Sequence, residues 1–189
     1  MNQKLRDFIP SRLFIYYNER SIEHSVPLDN GAQIRDGIKT VATQGDCPEP
    51  EWPYDISKFT HKPPAACYTD GLKYKAVQYQ RVVQDLNQMK GCLASGYPFV
   101  FGFTVYDSFE SEQVAKTGVV PMPHTNEKVL GGHCVVAVGY DGHRGGPPEG
   151  LDVLGPPLPS PTGIARGHRP RRLDGVHVLT VDDESDSLN

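Results

Sequence analysis

The sequence has few of the features that mark a specialised class of protein. Its 189 residues include four cysteines, three methionines and one tryptophan. Four scattered cysteines do not form a disulfide scaffold, and none of their spacings resembles a zinc site. Cys47 and Cys67 can pair in an oxidising compartment, while reduced thiols are the default.

A large excess of one charge and long apolar runs are also missing. The net charge is -4 and 38% of the residues are hydrophobic, so no basic surface indicates nucleic acid or an anionic membrane as partner. No apolar run reaches the length of a membrane span, and the first residues do not resemble a signal peptide. We expect no nucleic-acid or membrane partner and a cytoplasmic location by default. The sequence does not define the oligomeric state.

Aromatic residues are absent from the last quarter of the chain. Every Phe, Trp and Tyr lies at or before Tyr140, and residues 142–189 are rich in Pro, Gly and Arg. Such a segment buries too little apolar surface to offset the entropy of ordering its chain. We therefore predict a disordered tail over residues 142–189.

The patterned part of the chain places helices before strands, an order that predicts an α+β fold with an antiparallel sheet. Apolar residues at helical spacing mark the helices, and β-branched or aromatic runs mark the strands. A Pro-rich segment at 47–68 predicts a long, ordered, irregular connection. Four helices are predicted. The first starts at Ser11, the second runs from an N-cap at Asn30 to a stop at Gly45, and the other two cover residues 85–95 and 109–115. The predicted strands cover residues 76–83, 98–106, 118–120 and 133–140.

The strongest candidate for chemistry is His133. It follows Gly131 and Gly132 and begins a run of Val and Ala, which is typical of a strand buried on both faces. A histidine at the mouth of such a strand is costly to leave unpaired and suits a general base beside a cleft. A satisfied core histidine is the structural alternative, and this stretch alone favours it.

Several stretches together resemble the papain family of cysteine peptidases, most closely its bacterial branch. Each stretch is weak alone, and their order and spacing over residues 1–141 carry the resemblance. They are residues 10–20 (PSRLFIYYNER), 30–37 (NGAQIRDG), 47–55 (CPEPEWPYD), 96–98 (GYP), 117–119 (TGV), 131–133 (GGH) and 137–140 (AVGY).

The resemblance implies a two-lobed, papain-like α+β fold that is incomplete in this chain. Residues 1–75 would be a partial helical lobe, and residues 76–141 a partial antiparallel β lobe. In the family, a Cys of the helical lobe attacks the peptide carbonyl and a His of the β lobe activates it. By resemblance His133 is that catalytic His. Gly31 and Ala32 would bind the substrate backbone, and Gly132 would line a side-chain pocket. A peptide or protein substrate is implied, with no metal or organic cofactor.

The chain departs from the family pattern at the nucleophile. The family's Cys lies ~130–150 residues before the His, whereas no cysteine precedes Cys47. Cys134 is next to His133, but neighbours on a strand point to opposite faces. We expect Cys92 to lie behind the sheet, since the family packs the corresponding helix there. The sequence therefore predicts a nucleophile upstream of Met1.

The sequence also lacks the Asn-Ser-Trp-Gly motif that marks the last strands of the family. Codons for Val153-Leu154-Gly155, read one base later, can give Ser-Trp-Gly, so an out-of-frame tail is one hypothesis. Without the last strands, the strand at His133 would keep an unpaired edge. The sequence predicts a papain-like cysteine peptidase domain that is inactive as this chain. The alternatives are a non-catalytic peptide-binding protein or a pseudogene remnant.

Overall fold

A computed structural model of the chain describes residues 9–141, 150–154 and 178–181. In these residues helices precede most of the strands, and the predicted α+β order is confirmed. No helix in these ranges is both long and apolar enough to cross a membrane. The helices are α1 (Arg12–Ile22), α2 (Ile34–Thr43), α3 (Ala65–Gly71), α4 (Leu86–Ala94) and α5 (Glu112–Thr117), with 3₁₀ turns at Ile56–Lys58 and Asp107–Glu110. The strands are β1 (Tyr79–Arg81), β2 (Phe99–Tyr106), β3 (Val129–Asp141), β4 (Gly150–Leu154) and β5 (Val178–Val181).

Helix α1 begins where the sequence predicts. The Ser11 side chain accepts a hydrogen bond of 3.2 Å from the Phe14 N–H, which satisfies one of the free donors of the first turn. Leu13 and Phe14 are fully buried, so the start of the helix is fixed by its cap and by packing together.

Helix α2 begins three residues later than its predicted N-cap would allow. Asn30 is not the cap; the cap is Gln33, whose side chain makes no capping hydrogen bond. The backbone N–H of Gln33 instead donates to the Glu23 carboxylate at 2.6 Å, so the end of α1 caps the start of α2. The predicted stop is confirmed, since Gly45 adopts φ +74° directly after the C-cap Gln44.

The segment predicted as irregular contains helix α3. This helix follows Pro64 directly, and a proline suits a helix start because the first N–H groups have no intrahelical partner. The helix packs on α1 through a cluster of Phe14, Cys47 and Cys67, with Trp52 and Tyr68 at its side. The Phe14 and Tyr68 rings lie 4.9 Å apart.

The sheet has the strand order β1-β5-β2-β3-β4. Strands β2 and β3 are antiparallel, as predicted; β4 also pairs antiparallel with β3, while β5 lies parallel to both β1 and β2. Phe99 pairs with Ala137, and both are fully buried beneath Met89 and Leu93 of α4.

Three expectations for single strands differ from the structure. Residues 118–120 form no strand, because Gly118 adopts a left-handed conformation that ends α5 and Val119 is 69% exposed. Strand β3 is not buried on both faces: Val135 and Ala137 are buried, whereas Val138 and Tyr140 are exposed. Its predicted unpaired edge is covered over Val136 to Asp141 by β4.

Two short segments of the predicted tail are ordered as strands. Residues 150–154 and 178–181 pair with the sheet, so the expectation of disorder does not describe them; both are brief apolar runs suited to strands. The other residues of 142–189, like residues 1–8, lie outside the described part of the chain.

Candidate active-site region on strands β2 and β3

His133 lies near the start of β3, directly opposite Phe103 on β2. Its half-buried imidazole meets Phe103 edge to face, with ring centroids 5.9 Å apart, and lies 6.4 Å from the ring of Phe109. In the described residues no hydrogen bond to the imidazole is found. The Phe103 and Phe109 rings therefore restrict the position of the imidazole while leaving its nitrogens available for a proton transfer.

The other face of the same strand pair is turned towards helix α2. A side-chain carbon at Gly102 would lie 3.4 Å from Cδ1 of Ile34 in α2. Gly102 pairs with Cys134, and residues directly opposite each other share one face of a sheet. Cys134 therefore faces α2, and His133 faces away from it. The two side chains cannot form a pair, as strand alternation predicts.

A buried carboxyl group lies where α1, α2 and β3 meet. Burial raises the pKa of Glu19 to about 7, with Glu23 and Asp36 adding to the shift and Arg20 opposing it. Burial, and then the charge of Glu19, raise the pKa of the Cys134 thiol to about 11. Cys134 is therefore a poor source of thiolate at neutral pH.

Gly31 and Ala32 lie in the loop that leads into α2. Gly31 is exposed, adopts φ +82°, and has open space where a side chain would stand, so its backbone is accessible to an extended ligand. Ala32 is half-buried beside it. The loop leads into α2 at Ile34. Ile34 lies beside Gly102, which pairs with Cys134, so the start of α2 lies level with His133 along the sheet.

Tyr16 of α1 holds this loop in place. Its hydroxyl donates a hydrogen bond of 2.5 Å to Asp29 and accepts one from the backbone N–H of Gly31. Burial and the Asp29 contact raise the pKa of Tyr16 above its usual value. A single phenol thus links the first helix to both sides of the loop.

Arg20 anchors the turn that precedes the same loop. Its side chain is fully buried, and its guanidinium lies 3.8 Å from the centre of the Tyr16 ring. It donates to the carbonyl oxygens of Val26 at 2.6 Å, Leu28 at 3.1 Å and Phe59 at 2.5 Å. The fork of donors in arginine suits such convergent acceptors, which a lysine could not satisfy together.

Gly132 pairs with Thr104, and a side-chain carbon there would meet open space. The structure thus brings Gly132 and His133 together on one strand and places Gly31 and Ala32 in a separate loop. Sequence reasoning singled out these four residues and missed Tyr16, Arg20 and Glu19. The sequence did contain a signal for the three missed residues, since their polar side chains lie among the apolar residues of the first helix.

One group of side chains in the described residues could hold a metal ion. The Sγ atoms of Cys47 and Cys67 and a carboxylate oxygen of Glu51 all lie within 4.8 Å of one another. Both cysteines are buried and Glu51 is exposed. The group belongs to the α1–α3 core and does not include His133.

Comparison with known proteins gives two close matches over most of the chain. It is 49% identical over 142 residues to an uncharacterized peptidase C1-like protein of Acanthamoeba polyphaga mimivirus, a match that covers 71% of this chain and 46% of that protein. It also matches the crystal structure of xylellain, a cysteine protease from Xylella fastidiosa, at 47% identity and a TM-score of 0.64. That match covers 72% of this chain and 56% of xylellain. The chain thus spans about half the length of these relatives, and no protein-family model matches it.

Proposed function

Since this chain belongs to the papain family of cysteine peptidases, we propose that its domain binds an extended peptide and serves in the hydrolysis of a peptide bond. One observation carries the proposal. His133 lies on β3 beside the rings of Phe103 and Phe109, and helix α2, which follows the Gly31 loop, packs against the opposite face of the same strand pair. A general base and an exposed backbone loop are thereby held by packed elements.

In the proposed reaction, His133 accepts the proton of a cysteine thiol, and the thiolate attacks the peptide carbonyl. The protonated imidazole then gives its proton to the departing amine, and water releases the acyl group. Gly31 and Ala32 offer backbone groups to the peptide. Gly132, which has no side chain, leaves room for a substrate side chain.

None of the four cysteines of this chain is proposed as the nucleophile. Cys134 faces α2 on the side of the sheet opposite His133, Cys47 and Cys67 lie in the core between α1 and α3, and Cys92 packs beside Phe99 and Ala137. We propose that the thiol lies in a part of the complete protein outside these 189 residues, since both relatives are about twice as long as the matched region.

The division into lobes is also part of the proposal. Residues 1–75 would form part of the helical lobe and residues 76–141 part of the β lobe. The 47% identity to xylellain supports a place near the bacterial members. The viral relative at 49% identity supports a branch shared with a viral protein.

A second candidate function is peptide binding without cleavage. It is favoured by the absence of a cysteine side chain beside His133 among the four cysteines, all of which lie in the described residues. The same loop and strand pair would then hold a peptide, and His133 would only line the cleft.

Both candidates are tested by sequencing the gene beyond both ends of this chain and expressing the longest reading frame. We expect that frame to contain an upstream cysteine and to cleave fluorogenic peptides, with activity lost in His133→Ala and retained in Cys92→Ser. A frame without such a cysteine that binds peptides intact would support the second candidate. A frame that neither binds nor cleaves peptides would contradict both.

A further inference from the structure

Two buried cysteines that take no part in the proposed chemistry face each other in the helical core. Cys47 follows α2 and Cys67 lies in α3, and both belong to the cluster around Phe14. Their sulphur atoms lie within 4.8 Å of each other. Cys47 is 0% and Cys67 1% exposed.

We propose that Cys47 and Cys67 form a disulfide when the chain folds in the presence of a disulfide oxidant. A disulfide needs an S–S length of about 2.05 Å, so the sulphurs must approach by at most about 2.8 Å from the 4.8 Å limit. Among the residues that the structure describes, no strong hydrogen-bond partner holds either thiol away from the other. The Cys67 Sγ has only a long contact of 3.8 Å to the carbonyl oxygen of Glu51.

The reaction is two exchanges with a small-molecule disulfide such as oxidised glutathione. One cysteine loses its proton to solvent, and its thiolate attacks one sulphur of glutathione disulfide, so that one glutathione thiolate leaves. The second cysteine then attacks the mixed disulfide through its own thiolate and expels the second glutathione. Two cysteine thiols are oxidised, and one glutathione disulfide is reduced to two glutathione molecules.

A metal ion at the same cysteines fits the surroundings less well. A metal ion needs thiolates that persist inside the folded core, where burial raises the pKa of both Cys47 and Cys67. Disulfide exchange needs a thiolate only while the chain is folding and the thiols are still in contact with solvent. The third candidate ligand, Glu51, is exposed and lies near Asp70, whose carboxylate is paired with Lys73 at 2.5 Å. The aromatic and apolar neighbours of the cysteines favour the uncharged disulfide.

The proposed bond closes a loop that other contacts already fix at two points. Between the cysteines, the carbonyl of Trp52 accepts from Ser11 and that of Phe59 accepts from Arg20. Cross-linking a loop of about 20 residues restricts mainly the unfolded chain, so the disulfide would secure the connection that Ser11 and Arg20 already hold. This assignment does not depend on the proposed function.

The test is to refold the full chain from urea in a glutathione redox buffer, block the remaining thiols by alkylation and map the peptides by mass spectrometry. We expect a peptide pair joined through Cys47 and Cys67, two hydrogens lighter than the reduced pair, with Cys92 and Cys134 alkylated. The thermal midpoint should rise by about 5–10 °C on oxidation. Cys47→Ser and Cys67→Ser should each lose this rise, and the control Cys92→Ser should keep it.

Three outcomes would overturn the assignment. Cys47 and Cys67 could both stay alkylatable in the oxidised buffer, or they could link to Cys92 or Cys134 instead. In the third outcome the thiols stay free, and the reduced chain retains one zinc ion through gel filtration that Cys47→Ser loses. Because the mass map is read on the unaltered chain, the test holds even if a serine variant fails to fold.

Discussion

The Ser11 hydroxyl donates a hydrogen bond of 2.7 Å to the carbonyl oxygen of Trp52, 41 positions along the chain. The Ser11 hydroxyl oxygen in turn accepts a hydrogen bond from the Phe14 N–H at the start of α1. Ser11 is fully buried, so one hydroxyl both caps the first helix and fixes the connection that carries the single tryptophan.

Ser11→Ala should lower the free energy of unfolding by about 2–3 kcal/mol, because it removes a cap and leaves the half-buried Trp52 carbonyl without the Ser11 hydroxyl as its partner. Ser111→Ala is the matched control. Ser111 is half-buried and caps α5 only through the Val114 N–H, so its loss should be about 0.5–1 kcal/mol. Urea unfolding measures both, and equal losses would contradict a role for the Trp52 contact.

Arg20→Lys should destabilise the chain by about 2–4 kcal/mol, since one ammonium group cannot bind the carbonyls of Val26, Leu28 and Phe59 together. Arg12→Lys is the control, because the Arg12 side chain is 65% exposed and pairs with Glu49 at the surface. Its effect should stay below about 1 kcal/mol. The thermal midpoints of the two variants measure these effects. An unchanged midpoint in Arg20→Lys would show that the chain does not need the Arg20 contacts for its stability.

Gly45→Ala should be among the most damaging single substitutions in α2 and its flanks. Gly45 has φ +74°, and an added carbon would lie 1.8 Å from the carbonyl oxygen of Gly71. Gly118 has a similar φ of +71° but open space around it, so Gly118→Ala isolates the backbone cost of about 1 kcal/mol. We expect Gly45→Ala to cost more than about 3 kcal/mol, with soluble yield and urea midpoint as the measurements.

Glu19 should make the chain less stable as the pH rises towards neutrality. Its pKa in the folded chain is about 7, raised mainly by burial from a usual value of 4.5. Between these values the folded state binds more protons than the unfolded state, so the free energy of unfolding falls with pH. The stabilisation is fully present below pH 4.5 and is lost as the pH rises through 7.

Glu19→Gln should flatten this slope, and Glu112→Gln should not, because the Glu112 side chain is 89% exposed. Urea unfolding across the pH window measures both variants. A smaller slope should remain in Glu19→Gln, since burial also raises the pKa of Asp46, to about 8. An unchanged slope in Glu19→Gln would show that Glu19 is not the titrating group.

Tyr16→Phe tests the link between the first helix and the proposed peptide site. Without the hydroxyl, the hydrogen bonds to Asp29 and Gly31 are lost, and the loop must be ordered when a peptide binds. We expect peptide affinity to fall about 3–10-fold with the helical circular dichroism unchanged. Tyr54→Phe is the control, as the Tyr54 side chain is exposed. Equal affinities in the two variants would separate Tyr16 from binding.

The sequence predicted elements whose signals are local. Ser11 and Asp85 cap α1 and α4 through nearby backbone N–H groups, and such spacing is visible in the sequence itself. The predicted start of α2 is wrong because the backbone N–H of its N-cap residue, Gln33, bonds to the carboxylate of Glu23, ten positions away at the end of another helix. No local pattern contains that contact.

In the candidate site, too, the local signals could be predicted from the sequence and the contacts between distant residues could not. His133 and the glycines beside it stand out as a motif, and their register opposite Phe103 and Thr104 follows from a strand pair that the sequence predicts. The carbonyl contacts of Arg20 could not be predicted, since carbonyl groups are the same in every residue and leave no trace in the sequence. Only the folded chain shows which of them converge.

Arg20 contacts Val26 and Leu28 through their main-chain carbonyls. The side chains at these two positions can therefore change over evolution without loosening the anchor, provided that the backbone keeps its path. The turn before the Gly31 loop is in this sense free to diverge in composition while its shape is inherited. Related chains could thus vary what the proposed peptide site recognises at this rim without rebuilding the helix that supports it.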